Sequence, residues 1–325
     1  MLKESLSIVY MGTPDFAVAP LKALVEGEYR VVGVVTMPDK PAGRGMQLQS
    51  SPVKDYALSQ GLPLLQPEKL KEPTFLQALQ ALQADLFIVV AFRMLPEVVW
   101  SMPRFGTFNL HASLLPQYRG AAPIHWAVIN GETETGVTTF LLQHTIDTGD
   151  ILLQAALPIG EDECTGSVHD RLMVLGSELV LRTVNLFIEG KAKPQPQAAL
   201  ADVATLKPAP KLFKDNTRID WSCEGKAVFN WIRGLSPYPA AWTTLVPVSD
   251  TAASALTIKV FEATFEAALH DKQPGTILTD AKSFLKVAVP GGFILLKRLQ
   301  SAGRKAMSVD AWLRGFSGVN DWMFV

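Results

Sequence analysis

A chain of 325 residues with 48% hydrophobic and 19% charged side chains has an ordinary globular composition and room for two domains, and its two cysteines, without a Cys-x-x-Cys spacing, exclude a disulfide framework or zinc ribbon. The longest apolar run, near residue 86, is far shorter than the roughly 20 residues of a membrane helix, and residues 1–5 lack the pattern of a secretion signal, so the expected location is cytoplasmic. The net charge of −1 hides an asymmetry, since residues 207–325 carry 15 Lys/Arg against 10 Asp/Glu, which points to a polyanionic partner there, with solvated surface charge as the plain alternative.

In chain order, residues 6–11 read as a strand, 16–26 as a helix and 31–36 as a second strand. The turn between the first two, Met-Gly-Thr-Pro-Asp-Phe at 11–16, lacks the second and third glycines of a dinucleotide fingerprint, which argues against a nicotinamide cofactor. Residues 38–47 form an expected loop that presents Lys40 and Arg44 among Gly and Pro, and a helix begins at Ser51-Pro52, a natural cap followed by a proline suited to the first turn. Apolar runs at 86–90 and 107–110 predict buried strands, the first of them continuing into Phe92, Met94 and Leu95.

The second run ends in Asn-Leu-His-Ala-Ser-Leu-Leu-Pro-Gln-Tyr-Arg-Gly-Ala-Ala-Pro-Ile at 109–124. Asn109 and His111 stand two apart, so on a continuing strand both leave on one face. An amide donor beside an imidazole that exchanges protons near neutral pH suits an oxyanion and its collapse. Asp147, in a turn marked by Thr148-Gly149 between two apolar runs, is the candidate carboxylate for His111, although such trios also occur as structural residues at strand ends and turns. Ligands of α/β sheets sit at the carboxyl ends of strands, where this segment lies.

A helix is expected at 122–130 and a long one at 165–189, before Gly190 and the Lys-Pro-Gln-Pro of 193–196, which read as a linker. Beyond 207, short β-rich pieces at 255–261, 275–278, 284–289 and 293–298, set off by Gly and Pro, predict a small barrel. The expected organisation is a domain at 1–190, a linker at 191–206 and a second domain at 207–325. His125, His144, His169 and His270 show no metal-ligand spacing, and no metal is expected.

The run from Asn109 through Pro123, with Asp147-Thr-Gly-Asp after it, resembles the formyltransferase family that uses 10-formyltetrahydrofolate, and most nearly its members acting on initiator methionyl-tRNA. Gly303-Arg-Lys-Ala-Met-Ser-Val-Asp resembles the closing motif of those members. The resemblance implies a Rossmann-like α/β domain followed by an OB-like barrel, with 10-formyltetrahydrofolate as co-substrate and the tRNA as partner, and no obligate protein partner is evident. It implies catalysis by Asn109, His111 and Asp147, and folate contacts from Ser113, Leu114, Leu115 and Pro116 together with Phe92, Met94 and Leu95. Many relatives have Tyr-Gly where this chain has Phe92-Arg93. The Pro-Ala-Gly-Arg-Gly of the 38–47 loop resembles a segment that grips RNA, which assigns Arg44 and Lys40 to tRNA, with Lys211 and Lys214 at the start of the basic part. A formyltetrahydrofolate hydrolase or sugar-amine formyltransferase would share the trio but not the RNA, and a non-catalytic RNA-binding protein would need none of it.

Overall fold

Apolar runs alternating with amphipathic stretches fold as strands and helices along the first half of the chain. In the computed structural model, which describes residues 5–42, 47–200, 205–248 and 254–325, these are β1 (Ile8–Gly12), α1 (Val18–Glu26), β2 (Val31–Val35), β3 (Lys40–Ala42), β4 (Gln47–Gln49), α2 (Pro52–Ser59), β5 (Leu64–Leu65), α3 (Pro73–Ala81), β6 (Leu86–Val90), α4 (Glu97–Trp100), β7 (Thr107–His111), α5 (Pro123–Ile129), β8 (Glu134–Leu141), β9 (Ile151–Pro158) and α6 (Thr165–Ile188). The remainder is β-rich, with α7 (Gly225–Leu235), β10 (Ala241–Pro247), β11 (Leu256–Ala267), β12 (Ile277–Thr279), β13 (Leu285–Val289), β14 (Gly292–Ser301), β15 (Met307–Ser308), α8 (Val309–Arg314) and β16 (Trp322–Phe324). Two compact units result, one of Met1–Gly120, Thr135–Leu157 and His169–Pro208, the other of Ala121–Glu134, Pro158–Val168 and Ala209–Val325.

The first unit is built on a sheet in the order β5-β2-β1-β6-β7-β8-β9, parallel from β5 to β7 and antiparallel between β7 and β8. Every residue of β1 and β6 is buried, which is why those runs are apolar without alternation. Val9, Met11, Val35, Phe87 and Val89 form a core with Phe75 and Leu79 of α3. Ser51 caps α2 by accepting the Lys54 N–H at 3.1 Å, and Pro52 opens the helix. Within the expected loop at 38–47, β3 and β4 pair antiparallel, with Lys40 opposite Gln49. Arg44 lies outside the described residues.

In the second unit the strands run β12-β13-β14-β11-β10-β16, and a bridge between Thr276 and Met323 joins the two edges into a nearly closed antiparallel barrel. Irregular pairing of β11 with β14 between Val260 and Ala263 bends the long strand, as a bulge does. Helix α7 buries Val228, Ile232 and Leu235 against Val260, Ile294 and Leu296. A Cβ on Gly234 would lie 2.4 Å from Ile129 Cγ1, so this glycine lets α5 approach α7 closely. The architecture is thus a Rossmann-like α/β unit and an OB-like barrel unit. No helix among the described residues is long and apolar enough to cross a membrane.

Candidate active site

The alternation of β7 decides what the site displays. Phe108 and Leu110 point to the side of α6, where Phe108 stacks on Phe187 at 6.2 Å and a Cβ on Gly176 would come within 2.8 Å of Leu110. Their burial at 0% and 3% fixes the strand, and Asn109 and His111 consequently leave together on its opposite face at the carboxyl end.

His111 is 6% exposed, with its ring edge-on to Phe140. Its Nε2 lies 2.9 Å from the Tyr118 carbonyl oxygen, which only accepts, so Nε2 carries a proton and donates. That leaves Nδ1 as the nitrogen with a lone pair. It faces Asp147 Oδ2 at 3.9 Å, a separation for charge attraction across a gap and too long for a hydrogen bond. Asp147 is itself held, its Oδ2 accepting the Gly120 N–H at 2.9 Å. Asn109 is half-buried, and among the described residues its carboxamide has no hydrogen-bond partner.

The segment after β7 turns inward. Ser113 is fully buried and its hydroxyl donates to the Gln117 carbonyl at 2.7 Å. Thr138 Oγ1 donates to the Ser113 carbonyl and accepts the Leu115 N–H, while Gln154 Nε2 donates to the Leu115 carbonyl at 2.8 Å. Leu115 packs in a small core with Phe140 and Ile151, Leu114 lies against Gly136, Pro116 is buried, and the Leu115–Pro116 peptide is cis. These four residues brace the loop whose Tyr118 carbonyl orients His111.

At the carboxyl end of β6, Leu95 is buried, Phe92 packs on the core, and Met94 is 73% exposed. Arg93 donates to the carbonyls of Pro67 and Glu68, and burial lowers its pKa. Arg93 thus secures the loop after β5. Lys40 is exposed on β3. In the barrel unit the Lys211 ammonium lies 5.3 Å from the ring of Phe213, which is itself 58% exposed, and the Lys214 carbonyl accepts the Trp242 indole N–H at 2.6 Å. Asn109 and His111 share one face of β7 and Asp147 faces His111, while the Ser113–Leu115 stretch packs on Thr138, Phe140 and Ile151. Among the described residues no group of three or more His, Cys, Asp or Glu is placed to hold a metal.

One contributor, Gln197, carries no signal in the sequence. Gln197 is buried at 3% and donates to the carbonyls of both Asp147 and Gly149, and Arg119 donates to Gln197. Gln195, two positions earlier, exchanges backbone hydrogen bonds with Ile151 at 2.8 Å, so the stretch after α6 is fastened along the first unit.

An amide and an imidazole at the end of a buried strand, with a carboxylate facing the imidazole from the turn between β8 and β9, are a set of groups that suits acyl transfer. Residues 6–184 match the formyl transferase family and residues 211–317 the formyl transferase C-terminal domain, and the chain belongs to that family. Its similarity extends to proteins named methionyl-tRNA formyltransferase, from Bacteroides fragilis at 60% identity over 97% of both chains and from Parabacteroides distasonis at 58% over 99% of both. Among solved structures, the N-formyltransferase of Helicobacter canadensis in complex with folinic acid and dTDP-3-aminofucose shares the fold, with a TM-score of 0.62 and 18% identity over 90% of this chain and 98% of that one. HypX of Aquifex aeolicus in complex with tetrahydrofolic acid also has a TM-score of 0.62, at 19% identity over 95% of this chain and 46% of that longer one.

Proposed function

We propose that the protein transfers a formyl group from 10-formyltetrahydrofolate to the α-amine of initiator methionyl-tRNA, in the cytoplasm. The observation that carries the chemistry is the open carboxamide of Asn109 on the same strand face as His111, with Asp147 behind the imidazole. The 60% identity to proteins of that name along nearly the whole chain supports the choice of acceptor.

The amine nitrogen attacks the formyl carbon, and the carbonyl pair moves onto oxygen. Asn109 donates to that oxyanion. The attacking amine gives up a proton to His111 Nδ1, and the imidazolium so formed is stabilised by Asp147 across the gap and by Nε2–H on the Tyr118 carbonyl. Collapse of the intermediate re-forms the carbonyl and breaks the bond to N10, which takes the proton from Nδ1. One N–C bond forms, one breaks, and one proton moves from amine to N10.

The folate is taken to lie across the carboxyl ends of β6 and β7, touching Phe92, Met94 and Leu95 from one side. On the other side the Ser113–Pro116 segment contributes atoms its own hydrogen bonds leave over. Arg44, Lys40, Lys211 and Lys214 are assigned to the tRNA backbone, with residues 1–190 as the catalytic domain, 191–206 as linker and 207–325 as the RNA-binding domain. The test offers one labelled formyl donor to charged initiator tRNA, charged elongator tRNA, an amino-sugar nucleotide and water. Preferential labelling of the initiator supports the proposal, whereas faster labelling of the sugar or release of formate at the same rate without tRNA replaces it.

A further inference from the structure

The carboxylate behind His111 sits on an unfavourable backbone. Asp147 has φ +54°, in the left-handed region that non-glycine residues mostly avoid and Asp adopts occasionally, and its surroundings hold it there. Gly149 is part of the answer, since a Cβ there would lie 1.7 Å from the Leu141 carbonyl oxygen. The other part is a side chain from a distant stretch of the chain. Gln197 Nε2 donates to the Asp147 carbonyl at 3.0 Å and to the Gly149 carbonyl at 2.8 Å. Its Oε1 accepts from Arg119 Nε at 3.2 Å and Nη2 at 2.6 Å. Both N–H bonds and both oxygen lone pairs of the amide are therefore used, with nothing left for solvent or substrate.

Arg119 precedes the residue whose N–H holds the Asp147 carboxylate, Gly120. One amide thus ties the main chain under the carboxylate to the segment that fixes the carboxylate's oxygen. Only glutamine meets both demands at this reach, because glutamate would set an oxygen against two carbonyls and asparagine is a methylene short. We infer that Gln197, gripped by Arg119, is a positioning residue that sets the distance and direction of Asp147 toward His111. The inference rests on the reading of Asp147 as the partner of His111.

The test is a double-mutant cycle in the full chain, with kcat and both KM values measured for wild type, Gln197→Glu, Asp147→Asn and the double variant. Gln197→Glu keeps the length and the acceptors for Arg119 and removes both donors. It should lower kcat roughly 10- to 100-fold, as a displaced catalytic group does, with both KM values within about twofold. In the Asp147→Asn background the same change should cost less than about threefold, because the group it positions is already disabled. Arg119→Lys, which leaves Gln197 in place, perturbs the grip from the other side and decides by the same cycle if Gln197→Glu fails to fold. A kcat within twofold of wild type, or an equal loss in both backgrounds, overturns the inference and leaves the reading of Asp147 standing. Equal turnover of wild type and Asp147→Asn would instead remove that reading, and the inference with it.

Discussion

Replacing Asn109 by alanine separates catalysis from folding more cleanly than any other change at the site. Its carboxamide has no partner among the described residues, so truncation orphans no donor or acceptor, and stability should stay within about 0.5 kcal/mol of wild type. The amide's value lies in the transition state, where one preorganised donor to an oxyanion is worth about 2.7–4 kcal/mol. That corresponds to a loss of about 100- to 1,000-fold in kcat. Ground-state binding gains little from this donor, so KM for folate and for methionyl-tRNA should move by less than about threefold. The assay is steady-state formylation of charged initiator tRNA at saturating folate, paired with a thermal melt. A kcat within a few-fold of wild type, or a loss confined to KM, removes Asn109 from the chemistry; a large drop in melting temperature makes it a structural residue.

Gly149→Ala drives a Cβ into the Leu141 carbonyl and should destabilise the fold by more than about 2 kcal/mol while lowering kcat through the Asp147 turn, checked by denaturant titration alongside turnover. Lys211→Ala combined with Lys214→Ala should raise KM for methionyl-tRNA and flatten its dependence on salt, with folate KM unchanged, and Arg44→Ala should act the same way; a loss in kcat alone would detach these cations from RNA docking. Asp85 offers a pH test. Burial pushes its pKa up, but the N–H and hydroxyl of Ser7, with Arg104 and Arg30 nearby, outweigh this and hold it below the ordinary carboxylate value. Its stabilisation is complete above about pH 4 and lost as pH falls through the lowered folded-state pKa, so the stability gap between wild type and Asp85→Asn should be widest near neutrality and close in acid. A gap that widens toward acid would reverse the sign of this account.

What could be read from the sequence follows how local each cause is. The strands at 86–90 and 107–110 are apolar because the sheet buries them, and the two-residue period places Asn109 and His111 on one face whatever surrounds them. Asp147 was recognisable from its turn residues. Helix α7 carries Val228, Phe229, Ile232 and Leu235 at helical spacing, a local signal, whereas the burial of its Asn230 and Arg233 is not local, Arg233 donating to Asn230 at 2.8 Å and to the Glu163 carbonyl at 2.8 Å. The pairing of β3 with β4 was hidden by Gly and Pro, which read as a loop. Gln197 was the least visible, since its partners Asp147 and Arg119 stand 50 and 78 positions away and a glutamine in a Pro-rich stretch has no local signature. The inward turn of Ser113–Pro116 likewise depends on Thr138 and Gln154, which no spacing rule connects to it.

In the proposed reaction, formyl moves directly from folate to the methionyl amine at Asn109, His111 and Asp147. This is tested most directly by single-turnover transfer from formyl-labelled 10-formyltetrahydrofolate, following label on methionyl-tRNA and in free formate for wild type and His111→Ala. Wild type should place nearly all the label on the tRNA, and His111→Ala should slow this by at least about 100-fold while still binding folate. Label released as formate regardless of tRNA, or transfer by His111→Ala at the wild-type rate, would show that the chemistry lies elsewhere.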